Sequence, residues 1–234
     1  MSKFVSFKNV VKTFNTGGVI VHALNGLSFD ILKGEFVVIV GPSGSGKTTL
    51  LNLLGGMDKP TSGEITADKQ KINAFSERQL TEYRRNAVGF VFQFYNLMPN
   101  LTALENVELA VEICKDPIPP AEILEGVGLE MRRGNFPSQL SGGEQQRVSI
   151  ARAVAKNPKI ILCDEPTGAL DYETGKKILK LLHDICREKS KTVVIVTHNS
   201  ALKEMADKVV MIKNGHVEDI IINENPKSIE EIEW

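Results

Sequence analysis

The chain has 234 residues, enough for one large α/β unit, or a main unit carrying a smaller lobe, with a substantial core. Its 28 Lys plus Arg nearly balance its 29 Asp plus Glu, a formal net charge of -1, which argues against holding a polyanion by bulk electrostatics and so against nucleic acid as a partner. The three cysteines (Cys114, Cys163, Cys186) form no CxxC pair, and no apolar run approaches the roughly 20 residues of a membrane span.

In chain order, Met1-Ser2-Lys3 leads directly into strand pattern, without the apolar segment of a secretory signal, so a cytosolic chain is expected. Residues 4–7 and 27–31 alternate polar and apolar, with 63–66 a short further candidate, predicting an antiparallel β region. Residues 36–40, 159–163 and 192–196 are instead continuous and rich in Val and Ile, as suits strands of a parallel sheet buried on both faces. These runs end in Gly41-Pro42-Ser43, Asp164-Glu165-Pro166 and Thr197-His198-Asn199. Ligands of open α/β sheets sit outside the carboxyl ends of strands, so the three endings should converge on one site. Residues 94–139, with Pro99, Pro117, Pro119, Pro120 and Pro137 among short helical patterns, read as a helical lobe inserted into a core of residues 1–93 and 140–234. Asn214-Gly215 between residues 209–213 and 216–220 predicts a two-residue hairpin, and the acidic tail 228–234 is expected to fray.

Three motifs carry chemistry. Gly41-Pro42-Ser43-Gly44-Ser45-Gly46-Lys47-Thr48-Thr49 matches GxxxxGK[ST] between a strand and a helical run, the context that a P-loop requires. Its glycines let backbone N–H groups wrap phosphates, and Lys47 is expected to reach the β and γ phosphates of ATP while the Thr48 hydroxyl meets Mg²⁺. An apolar strand ending in two carboxylates is costly unless a cation and a reacting water use them. Asp164 is therefore expected to hold Mg²⁺ through water and Glu165 to polarise the water attacking the γ-phosphate; the plainer alternative is a solvated strand end. In Leu140-Ser141-Gly142-Gly143-Glu144, Ser141 and Glu144 read as a capping box opening a helix over 145–155. Capping does not call for two glycines in the first turn, so this helix start also reads as a second anion site, spare in one chain and useful in a dimer.

With these stretches in view, the sequence resembles the ABC ATPase family over essentially its whole length, the Ser141 stretch matching the LSGGQ signature. The resemblance implies a P-loop NTPase α/β fold, a homodimer in which Ser141, Gly142, Gly143 and Glu144 act in trans on the partner's nucleotide, and Asp171 in the D-loop. It further implies Gln93 as a Q-loop residue touching Mg²⁺ and water, His198 as a γ-phosphate sensor, and Phe14, where the family more often has Tyr, as the ring stacked on adenine. The stretches 89–97, 101–107 and 137–139 resemble the macrolide-export, antimicrobial-peptide and lipoprotein-release branch. That branch implies a peripheral ATPase at the cytoplasmic face of the membrane, a separate integral permease, a periplasmic or extracellular adaptor, and a drug, antimicrobial peptide or lipid-linked cargo. The alternative is a regulatory ATPase that signals through a membrane partner without transport; soluble repair or translation ATPases lack support, since neither a long coiled coil nor a second such unit is written here. Phe94, Tyr95, Leu97, Met98 and Leu101 are expected to be about half exposed and to meet the permease.

Overall fold

The computed structural model describes residues 2–232. In chain order it comprises β1 (Lys3–Thr16), β2 (Val19–Leu32), β3 (Phe36–Val40), α1 (Lys47–Leu54), β4 (Ser62–Ala67), β5 (Gln70–Lys71), α2 (Glu77–Asn86) and β6 (Val88–Val91). Then follow α3 (Ala103–Val111), α4 (Pro120–Gly126), α5 (Gly142–Ala155), β7 (Ile160–Asp164), α6 (Tyr172–Glu188), β8 (Thr192–Thr197), β9 (Lys208–Lys213) and β10 (His216–Ile222).

Two sheets divide these strands. The first is antiparallel in the order β2-β1-β4-β5. Its β1–β2 hairpin is far longer than residues 4–7 and 27–31, because register shifts after Lys3, Phe7, Val10 and Lys12 break the period of two that marks a strand in sequence. The second runs β10-β9-β3-β8-β7-β6, with every neighbouring pair parallel except β9 and β10. Every residue of β3 and β8 is buried because both faces are covered. Val37, Ile39, Val194 and Val196 face a core shared with α1 and the first sheet, whereas Val38, Val40, Val193 and Ile195 face one shared with α5 and α6. β9 is more than the expected hairpin arm: it pairs in parallel with β3, from Val37 with Lys208 to Val40 with Met211.

α3 and α4 pack on α5, and their buried Val107, Ile123 and Leu124 join the core beneath the parallel sheet. The expected fraying tail is corrected in part. Ile229 and Ile232 are buried and Tyr172 Oη donates to the Ile232 carbonyl at 3.1 Å, which docks the segment beside α6; Glu233 and Trp234 lie outside the described residues. The turn between β9 and β10 closes on the first sheet and on the loop before α1. Asn25 N donates to Gly215 O at 2.8 Å, Gly215 N donates to Ser45 O at 3.1 Å, and a Cβ on Gly41 would stand 2.1 Å from Ile212 O.

Candidate active site

A cavity of about 420 Å³ opens at the carboxyl ends of β3, β7 and β8. Ser43, Gly44, Gly46, Lys47, Thr48 and Thr49 line it together with Gln93, Asp164, Glu165 and His198, so all three polar strand endings contribute to one wall. Gly41 and Pro42 lie behind the loop, where their carbonyls accept from Lys47 Nζ at 2.8 and 3.0 Å. Gly46 sits at φ 103°, and a Cβ there would meet Ala23 O at 2.4 Å, so the loop's shape admits only glycine at that position. Ser45 Oγ is buried and makes no hydrogen bond.

The acids are held differently from each other. Thr48 Oγ1 donates to Asp164 Oδ1 at 3.3 Å. Burial pushes the Asp164 carboxyl above the usual range and neighbouring Glu165 adds to the rise, while the Thr48 bond and Lys47 oppose it. Burial likewise lowers Lys47 from the ordinary lysine value, against the attraction of Glu165 and Asp164. Glu165 turns at φ 46°, and its carboxylate accepts from Thr197 Oγ1, His198 N and His198 Nδ1, each at 2.8 Å. A carboxylate can only accept, so Nδ1 carries the proton in that bond.

These residues fit a nucleoside triphosphate with a divalent cation. The glycine-rich loop turns into the uncapped start of α1 at the cavity wall, and a desolvated carboxylate beside a threonine hydroxyl is a hard-oxygen donor pair suited to Mg²⁺.

Other expected residues lie outside the wall of this cavity. Ser141 and Glu144 form the foreseen capping box: Ser141 N donates to Glu144 Oε2 at 2.8 Å and Glu144 N to Ser141 Oγ at 3.3 Å, so α5 begins at Gly142. Arg132 Nε also reaches Glu144 Oε1 at 3.1 Å. Gly143 has an internal reason, since its Cβ would stand 2.3 Å from Thr174 Cγ2 on α6; one on Gly142 would meet Tyr95 Oη at 2.9 Å. Asp171 caps α6 by accepting from Thr174 N at 3.1 Å. Phe14 is 39% exposed on β1, opposite Val21, which does line the cavity.

Val21, His22 and Ala23 from β2 line the cavity without having been singled out in sequence, and Thr197 engages Glu165. Thr197 carried a signal, as a polar residue ending an apolar strand; the β2 residues carried none, because only the hairpin's register brings them to the loop.

A P-loop following one parallel strand, with paired acids ending another, defines a P-loop nucleoside triphosphatase. A family model for the ABC transporter matches residues 24–168. The chain is 49% identical over 226 residues to the uncharacterized ABC transporter ATP-binding protein MJ0796 of Methanocaldococcus jannaschii, covering 92% of this chain and 95% of that one. The dimeric structure of MJ0796 in a post-hydrolysis state, bound to ADP and Pi, superposes with a TM-score of 0.86 at 46% identity, covering 93% of this chain and 98% of that one. An ABC transporter ATP-binding protein of Mycoplasma pneumoniae, the MG065 homolog, is 47% identical over 234 residues, 98% of this chain but 50% of its own length. The macrolide export ATP-binding/permease protein MacB of Brucella melitensis is 42% identical over 218 residues, 91% of this chain and 34% of its own. The chain thus spans nearly all of one relative and half or less of the other two.

The chain belongs to the ABC transporter family as an ATP-binding cassette, an ATPase whose nucleotide is ATP and whose customary cation is Mg²⁺. Its resemblance to the macrolide-export branch is supported by MacB.

Proposed function

We propose that the chain powers a separate membrane permease of export or mechanotransmission type, as a peripheral homodimer at the cytoplasmic face of the membrane, with a drug, antimicrobial peptide or lipid-linked molecule as cargo. The observation that carries its ATPase half is the convergence of Lys47, Thr48, Asp164, Glu165 and His198 on one cavity. Lys47 exchanges the Gly41 and Pro42 carbonyls for the β and γ phosphates, while Thr48, Asp164 and Gln93 hold Mg²⁺ directly or through water. When bound, that ion neutralises charge developing between the β and γ phosphates. Glu165, fixed by Thr197 and His198, orients and polarises the attacking water. Phe14 stacks on adenine beside Val21. Ser141, Gly142 and Gly143 reach the partner's γ-phosphate, with Asp171 at the same interface; their place outside this chain's own cavity supports action in trans.

After β6 the chain presents a surface suited to the permease. Phe94 is 75% exposed and Met98 is exposed, whereas Tyr95, Leu97 and Leu101 are half-buried, the mixture that a partner-binding segment should have. Tyr95 and Asn96 sit at φ 52° and 50°, and Arg152 on α5 donates to both their carbonyls. Beside them Met57, Phe90, Phe92, Ala110 and Ile113 line a groove of about 410 Å³, and this groove receives a permease segment. Among the described residues no helix is long and apolar enough to cross a membrane, which is compatible with a separate permease.

Mixing Ser141→Arg chains with Lys47→Ala chains tests the dimer. Each is expected to be inactive alone, and partial ATPase activity should return on mixing through the one site that keeps both an intact loop and an intact signature. Activity in neither mixture nor crosslinked heterodimer would reject the trans assignment. Tyr95→Glu with Leu97→Glu should spare ATP binding yet abolish co-purification with a multi-span membrane protein; retained co-purification would remove this segment from the docking surface.

A further inference from the structure

Lys12 lies on β1 two residues before Phe14, and its surroundings are unusual for a strand lysine. Its side chain is only 12% exposed, with Nζ 2.7 Å from Asp58 Oδ1 and 2.9 Å from the Lys59 carbonyl. The same ammonium stands 4.8 Å from the centroid of the Phe14 ring, within the reach of a cation–π contact. The segment bearing Asp58 is itself stitched to β1: Thr61 N donates to Val11 O at 2.8 Å, and Thr13 N donates to Thr61 Oγ1 at 3.0 Å. That segment follows α1, which opens at Lys47 in the phosphate loop.

We propose that Lys12 is a positioning residue for the nucleotide base, holding the Phe14 ring as a pre-set stacking platform while Asp58 and the Lys59 carbonyl hold Lys12. The inference rests on the reading that Phe14 stacks on adenine and adds what keeps the ring in place. A phenyl group that is 39% exposed and unsupported would sample several rotamers and lose that freedom each time a base arrived. An ammonium fixed by two oxygens against the ring removes much of this ordering cost beforehand, and the remaining ring surface stays open to the base. The support of the base platform is also continuous in chain with α1, so the parts that take the two ends of the nucleotide are built on one segment.

The expected signature is a loss that falls on the base and spares the phosphates. In the full-length protein, Lys12→Met should raise KM for MgATP about three- to tenfold, with kcat at saturating ATP changed by less than about twofold. The inhibition constant of magnesium tripolyphosphate, which has neither base nor ribose, should stay at the wild-type value, and Lys12→Arg should restore KM because a guanidinium also stacks on aromatic faces. Asp58→Asn, which frees the ammonium without removing it, should give a smaller rise of the same kind. In a Phe14→Ala background Lys12→Met should add nothing further. An unchanged KM for MgATP in Lys12→Met, a tighter one, or equal weakening of ATP and tripolyphosphate would each overturn the proposal. If Phe14→Ala leaves KM for MgATP unchanged, the stacking platform itself fails; if Phe14→Ala raises it while Lys12→Met is silent, only the positioning role falls.

Discussion

Two helices of this protein start from glycine-rich turns, and their first residues are treated in opposite ways. α1 is preceded by Gly46 at φ 103°, with no side-chain cap and no acidic residue in its first turn, so its N–H groups face the cavity unneutralised. α5 is preceded by Ser141 with a complete capping box, and Glu144 places a carboxylate on the first turn. A helix N-terminus attracts anions through its free N–H groups and its dipole. α1 leaves that attraction to a ligand, while α5 has partly answered it from its own chain. The two turns are therefore not equivalent: the first has no cap or acid of its own, whereas the second is already engaged by Ser141 and Glu144.

The largest effect expected from this contrast comes at α1. Lys47→Ala should lower ATP affinity by about a hundredfold or more and abolish ATPase activity, because the cavity loses a buried cation that nothing else in its wall replaces, whereas Glu144→Gln should leave ATP affinity of the isolated chain nearly unchanged. Equal losses of ATP binding in the two variants would erase the distinction. A smaller effect should separate packing from function at α5. Gly143→Ala drives a methyl into Thr174 Cγ2 and should cost about 1–3 kcal/mol, read as a fall in urea midpoint. Adding Thr174→Ser removes the colliding atom and should recover most of that stability; ATPase activity that returns with it would mean that Gly143 serves packing alone.

The smallest effect is one of pH. Glu144 is held below the usual carboxylate range, chiefly by the backbone N–H of Ser141, with Arg132 also contributing. A folded-state pKa lowered in this way contributes stability that is fully present above the unfolded value of about 4.3 and is lost as pH falls through the folded one. Glu144→Gln should therefore flatten the acid limb of a Tm-against-pH curve. Ser141→Ala should cost about 1 kcal/mol, or about 2–4 °C, at neutral pH. An acid limb of unchanged slope in Glu144→Gln would show that the cap is not titrating.

What could be read from the amino acids was what local chemistry dictates. The phosphate loop, the Asp164-Glu165 pair and the Ser141–Glu144 cap each depend on residues adjacent in sequence, and the Val- and Ile-rich runs declare burial on both faces. What escaped depended on partners distant in the chain. β9 looked like a hairpin arm because Asn214-Gly215 is a local signal, whereas its parallel pairing with β3 is not. The length of the β1–β2 hairpin was hidden by bulges, and with it the register that brings Val21 and His22 to the cavity. Gly143 was ascribed to ligand access alone, because nothing in its own stretch announces Thr174.

The turn at Asn214-Gly215 bears on how this protein folds. Its Gly215 N–H donates to the Ser45 carbonyl inside the phosphate loop, and the Ile212 carbonyl leaves no room for a side chain on Gly41, so the loop is braced by a hairpin distant from it in sequence. Contacts between distant segments form late, after the entropy of closing the intervening chain has been overcome. Until residues 212–215 have docked, the glycine-rich loop lacks the Gly215 hydrogen bond to Ser45 O. Nucleotide capture is therefore coupled to docking of this hairpin, and ATP, by binding only the docked form, would stabilise it over the undocked one.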